Sequence, residues 1–270
     1  KPGVSEIRQL ELNVNPQPVA TASTVDGNGN MYMCDGVSRR FYMLPNRELP
    51  EVRLDTGQIN NPLSVIAIGP TRNNVYVLDY ANSCIFQVVG NGLVVVAGTC
   101  GTASTSTTRG DNGPPALARF KQPISLERVA GAGNENKMLV IDEDFTRVRL
   151  IDWSVPTIST IITAPPSPYS YYYGITYNPT NGLYVASQLV GGGSLQSIAL
   201  INAANATIQT LYSAPGLVNI DQFSPPPTLN LNQYTKFSAL YEIEWESGDT
   251  FLFIDGSLIM RVTFNSTDYF

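Results

Sequence analysis

Along the chain, short apolar runs alternate with clusters of Gly, Pro, Asn and Asp, and helical periodicity is nearly absent. Runs rich in Val, Ile, Leu, Tyr and Thr between such clusters predict β-strands. One strand pattern recurs. Asn30-Met31-Tyr32-Met33-Cys34-Asp35 returns as Asn74-Val75-Tyr76-Val77-Leu78-Asp79 and as Lys137-Met138-Leu139-Val140-Ile141-Asp142. Gly182-Leu183-Tyr184-Val185-Ala186-Ser187 and Thr250-Phe251-Leu252-Phe253-Ile254-Asp255 are the fourth and fifth copies. The closing positions 35, 79, 142, 187 and 255 are separated by 44, 63, 45 and 68 residues. The short spacings define a unit of about 45 residues, and the long ones add an insertion to it.

Each copy sits in the same context. An apolar strand precedes it, then a Gly/Asn-rich turn such as Asp26-Gly27-Asn28-Gly29, and further strands follow it, for example Ile85 to Val89 and Leu93 to Ala97. Four antiparallel strands per unit make a propeller blade. The pattern therefore predicts an all-β chain, with residues 1–270 forming one β-propeller of five blades. The fifth unit stops after its third strand, and Ile7 to Asn13 is an unused apolar strand. The expectation is that this N-terminal strand closes the last blade and removes an open sheet edge. A sixth blade between Ser213 and Phe237 is the alternative, against which Pro215 and Pro225-Pro226-Pro227 argue.

Composition narrows the chemistry. The 270 residues carry 16 Lys+Arg against 22 Asp+Glu, a net charge of −6, which disfavours a phosphate backbone as partner. The chain has no histidine, which excludes Ser-His-Asp and Cys-His nucleophile systems and His-ligated zinc or haem. Carboxylate chemistry, oxygen-ligated metals or no catalysis remain. Of three cysteines, Cys84 and Cys100 flank a hairpin turning at Gly90-Asn91-Gly92. A disulfide across its mouth fits that geometry, with two buried thiols as the alternative reading; Cys34 is left as a small buried apolar residue. Asn205 and Asn265 head N-glycosylation sequons. Together these features predict a secreted or surface-displayed glycoprotein. No apolar run is long enough to span a membrane, and the start at Lys1-Pro2-Gly3 suits a mature or trimmed chain.

The stretch Gly110-Asp111-Asn112-Gly113-Pro114-Pro115-Ala116-Leu117-Ala118-Arg119-Phe120, with Gln122-Pro123-Ile124-Ser125-Leu126 after it, resembles the Gly-Asp-Gly-Gly-Pro-Ala segment that opens a blade in NHL-repeat β-propellers. Asn74 to Asp79 with Asn82-Ser83-Cys84-Ile85 resembles that family's second and third strands, without its usual His and Arg. The resemblance runs over nearly the whole chain, by hydrophobic pattern alone in the fourth and fifth units. It implies the propeller fold. The family's functions range over RNA binders, protein-interaction modules, lyases and lactonase-like enzymes. The lyase type holds zinc with histidines, which this chain lacks; the RNA-binding type uses a basic face, which an acidic chain does not supply; the calcium-holding hydrolase type stays open.

Four candidate features follow. Asp35, Asp79, Asp142 and Asp255 occupy equivalent points near one face. A residue needed in every blade reads best as an acceptor for its own turn amides; the competing reading is a carboxylate ring at the channel mouth that holds a cation such as calcium. Arg109-Gly110-Asp111 spells a tripeptide that some cell-surface receptors bind. Strand alternation places Tyr171, Tyr173 and Tyr177 on one face and Tyr172 on the other, either as contact anchors or as packing between blades. Finally, the insertions at Thr99 to Lys121 and Ser213 to Lys236 both join the outer strand of one blade to the inner strand of the next, so both decorate one face, with Pro226 in a stiff ridge. The alternative for these loops is a plug over the channel. The expectation is a monomeric binding module for a protein or glycan, without cofactor and without catalytic residues. The competing reading is a calcium-dependent hydrolase or lactonase.

Overall fold

The computed structural model describes residues 20–47, 52–54, 57–101, 110–142, 146–163, 171–190, 195–204, 207–215, 228–229, 240–248, 250–255 and 258–263. Five four-stranded sheets account for them. The first holds β1 (Ala20–Val25), β2 (Met31–Asp35), β3 (Arg40–Leu44) and β4 (Val52–Arg53). The second holds β5 (Pro62–Ile68), β6 (Asn74–Asp79), β7 (Cys84–Val89) and β8 (Gly92–Ala97). The third holds β9 (Ser125–Arg128), β10 (Lys137–Asp142), β11 (Arg147–Asp152) and β12 (Thr157–Thr163). The fourth holds β13 (Tyr171–Asn178), β14 (Leu183–Val190), β15 (Leu195–Asn202) and β16 (Thr207–Pro215). The fifth joins β17 (Thr228–Leu229) to β18 (Leu240–Ser247), β19 (Thr250–Asp255) and β20 (Leu258–Thr263). The first strands β1, β5, β9, β13 and β18 line one central channel, so the sheets are the blades of a five-bladed propeller.

The repeated strand is buried on both faces, which is why it reads as a continuous apolar run. In β6, Val75 and Val77 face a core shared with the first blade, while Tyr76 and Leu78 face a core shared with the third. In β10, Met138 and Val140 return to that second core, and Leu139 and Ile141 enter one shared with the fourth blade. Period-two alternation thus distributes each strand between two wedges.

The turns between first and second strands meet in a chain of contacts on one face. Gly27 N–H donates to the Arg72 carbonyl at 3.1 Å, and Gly69 N–H donates to the Glu135 carbonyl at 2.6 Å. A Cβ on Gly27 would lie 1.7 Å from the Thr71 carbonyl oxygen, and one on Gly131 would lie 2.4 Å from Pro179 Cβ. Only glycine admits these approaches.

The disulfide forms as the hairpin predicts: Cys84 and Cys100 are bonded, with Cα atoms 5.1 Å apart across a separation of 16 residues. Cys34 is a buried free thiol, its pKa pushed well up by burial. Beside β20, the outer seat of the last blade is taken by Thr228–Leu229, which run parallel to β20. Ile7 to Asn13, expected in that seat, lie outside the described residues. No helix among the described residues is long and apolar enough to cross a membrane.

Candidate functional site

The repeated aspartates accept hydrogen bonds from their own turns and from the connections that arrive beside them. Buried Asp35 accepts hydrogen bonds from the amides of Val37 (3.1 Å) and Ser38 (2.9 Å) and from the Ser38 hydroxyl. Asp79, fully buried, accepts from the amides of Asn60 (2.7 Å), Asn61 (3.1 Å) and Asn82 (3.1 Å) and from Asn82 Nδ2 (2.9 Å). Asp142 accepts from the Lys121 amide at 2.8 Å. Asn60, Asn61 and Lys121 belong to the segments arriving from the preceding blade. Asp79 and Asp142 therefore pin the arriving chain, and Asp79 pins its own turn as well. The side chain of Asp255 lies outside the described residues. Among the described residues, no group of three or more His, Cys, Asp or Glu side chains is placed to hold a metal ion.

Arg149, with no exposed side-chain surface, organises the opening of the third blade. It pairs with Asp111 at 2.9 Å and Asp142 at 3.4 Å, donates to the Arg119 carbonyl at 2.9 Å, and lies 5.0 Å from the Phe120 ring centroid. The other Asp111 oxygen accepts from the Thr160 hydroxyl at 2.9 Å. Asn112 and Gly113 pair through their backbones with Ile158 on β12. Asp111 thus serves the blade-opening stretch, and both its oxygens are committed inside the protein. Arg109 and Pro226 lie outside the described residues, as do Asn205 and Asn265.

The tyrosines divide differently from simple alternation. A bulge between Tyr172 and Gly174 shifts the register of β13 against β14. One extra residue reverses the parity beyond it. Tyr177 consequently packs on the same core as fully buried Tyr172, at the wedge between third and fourth blades. Tyr173, half-buried, faces the channel. The side chain of Tyr171 lies outside the described residues.

Two cavities occupy the channel. One of about 620 Å³ lies toward the end where the inter-blade connections arrive. Thr21, Ser23, Ser64 and Ser125 wall it, together with Glu127 and Tyr173; Thr21 Oγ1 donates to the Pro62 carbonyl at 3.2 Å, Ser64 Oγ accepts from the Leu126 amide at 3.0 Å, and Ser125 Oγ donates to Glu127 at 2.7 Å. The second, of about 480 Å³, opens at the opposite end, among the hairpin turns. Arg72, Arg128, Glu244 and Trp245 stand at its mouth over Ile68 and Ile243. Arg128 on the third blade reaches Glu244 on the fifth at 2.7 Å, and the Trp245 amide donates to Thr176 Oγ1 on the fourth at 3.2 Å. Partial burial lowers the Arg72 pKa, the nearby Arg128 lowers it further, and Glu244 opposes both. Ile66, Glu127, Ile243 and Glu244 belong to both cavities, so the two are ends of one passage. Sequence reasoning missed this second mouth. Arg72 sits in a short turn, Arg128 at a strand end and Glu244 in a strand more than a hundred residues on. No local signal joins them.

No family profile and no curated protein sequence matches the chain. Solved structures match by fold. The extracellular domain of a one-component system from Bacteroides thetaiotaomicron superposes with a TM-score of 0.59 at 10% identity, over 96% of this chain and 29% of that one. A protein in a nidogen/laminin complex gives 0.58 at 8% identity, over 91% of this chain and 76% of the other. Virginiamycin B lyase from Staphylococcus aureus gives 0.53 at 12% identity, over 91% and 70%. At these identities the likeness establishes the β-propeller fold.

Proposed function

We propose that the chain is an extracellular or surface-displayed binding module. It recognises a protein or glycan at the channel end where the long inter-blade connections arrive. The observation that carries this reading is the cavity of about 620 Å³ there, bordered by Glu127 and Tyr173 over an aliphatic floor. A cavity of this size suits a single compact group, and a carboxylate beside an aromatic edge suits a sugar residue. The three described aspartates of the repeat are engaged by backbone amides, which turns the argument toward recognition rather than catalysis. The Cys84–Cys100 disulfide fits an oxidising compartment. The fold likeness to an extracellular domain from Bacteroides thetaiotaomicron supports that placement. Within this reading the chain is an NHL-like propeller, with Arg109, Tyr171 and Pro226 as further contact candidates and Asn205 and Asn265 as glycan carriers.

A glycan array and a panel of extracellular-matrix proteins, probed with the wild-type chain and with Tyr173→Ala, test the proposal. Saturable binding that Tyr173→Ala weakens by about tenfold or more is expected, as for loss of an aromatic anchor. Binding unchanged by Tyr173→Ala and by Glu127→Gln would place recognition elsewhere.

A further inference from the structure

The mouth among the hairpin turns differs in chemistry from the connection end of the channel. We propose that it is a second binding site, selective for a carboxylate-bearing sugar residue, with Arg72 as the receiving cation. Three observations converge, in a cavity also lined by Lys137 and by Glu127 and Glu135, whose carboxylates accept from the Ser125 hydroxyl at 2.7 Å and the Gly133 amide at 3.1 Å. Arg128 is held by Glu244 at 2.7 Å across the passage. Among the described residues the Arg72 guanidinium has no hydrogen-bonded or ion-paired partner, while a second guanidinium, that of Arg128, stands close enough to disfavour its charge. Glu244 therefore faces two guanidinium groups and forms a close pair with one. A ligand carboxylate would supply the missing partner, in the planar two-pronged geometry that guanidinium favours.

The remaining wall decides between ligand classes. Trp245 borders the cavity, and its indole N–H donates to the Gly248 carbonyl at 2.9 Å, which fixes the ring. Ile68 and Ile243 floor the space. A fixed indole beside a cavity of about 480 Å³ matches the apolar face of a pyranose ring. An acidic peptide would need an extended groove, whereas this mouth is a single space of about 480 Å³ bordered by turns of the second and third blades. The two ends share Ile66, Glu127, Ile243 and Glu244, but Arg72 and Trp245 line this one and not the other.

The test titrates the intact protein with D-glucuronate, with D-glucose as its uncharged counterpart, and with an Asp/Glu-rich peptide. Trp245 is one of only two tryptophans, so intrinsic fluorescence reports binding, with calorimetry as a check. Saturable glucuronate binding is expected, about tenfold or more above glucose, and weakening with salt. Arg72→Gln should lower glucuronate affinity about tenfold without moving the melting temperature, since its side chain is exposed. Glu244→Gln should raise it several-fold by releasing Arg128 from its competitor. Tyr173→Ala should leave it unchanged, which separates this site from the other. Equal binding of glucose and glucuronate, no saturable binding, an unaltered Arg72→Gln variant, or preference for the peptide would each overturn the assignment.

Discussion

Asp79→Ala tests whether the repeated aspartate is a structural clamp. The carboxylate is fully buried and accepts three backbone amides and one side-chain amide. Alanine leaves those three backbone donors without their acceptor. A buried donor left unmade costs about 1–3 kcal/mol. Asn60, Asn61 and Asn82 are themselves half-buried, so water reaches them and the lower end applies. The expected loss is about 3 kcal/mol, which lowers the melting temperature by about 6–12 °C for a domain of this size. Asp79→Asn should lose less, because one oxygen remains for part of the set while its NH₂ faces a donor. Thermal and urea unfolding followed by circular dichroism give the numbers. Both should be run in chelator and in millimolar calcium. A clamp loses the same stability in either buffer. A fall of less than 2 °C would refute the reasoning, and so would a loss seen only with calcium, which would make Asp79 a metal ligand.

Two further expectations concern stability. Cys100→Ser opens a loop of 16-residue separation and should cost about 3 kcal/mol by chain entropy; a reductant should lower the wild-type melting temperature by a similar amount and leave the variant unmoved. Tyr32, Tyr76 and Tyr184 are raised to about 12, first by burial, with Asp26 adding for Tyr32 and Tyr177 for Tyr184. The unfolded chain releases these protons near pH 10 and the folded one later, so their stability contribution is complete below pH 10 and declines as pH rises toward 12, by about 1.4 kcal/mol per pH unit for each tyrosine. Absorbance at 295 nm should therefore rise in two stages, the second coinciding with unfolding; a single rise near pH 10 with the fold intact would contradict the burial argument.

Much of the fold was legible because every blade repeats one requirement. The strand ending in Asp must be apolar on both faces, so β2, β6, β10 and β19 stand where the pattern put them. The hairpin disulfide was legible for a local reason, since two cysteines bracket one turn. The rest depended on facts that no window of sequence contains. Arg149 reads as a surface residue until Asp111, Asp142 and Phe120 close around it. Tyr177 changed sides through a bulge that its own neighbours do not announce. Thr228–Leu229 gained a strand pairing directly after three prolines, because an open blade edge accepts even two residues. The mouth formed by Arg72, Arg128 and Glu244 exists only once the second, third and fifth blades share an axis.

The glycine contacts among the hairpin turns divide the molecule into a conservative side and a permissive one. Thr71 leaves no room at Gly27 for a methyl group, and Pro179 leaves none at Gly131, so a lengthened turn there would push neighbouring blades apart. The connections that carry the two long insertions leave β8 and β16 and enter β9 and β18 on the other side. Added residues in a connection need not alter the angle between blades. A library built on this scaffold should accordingly leave the turns untouched and, within the first connection, spare Asp111, Phe120 and Lys121, which Arg149 and Asp142 hold in place.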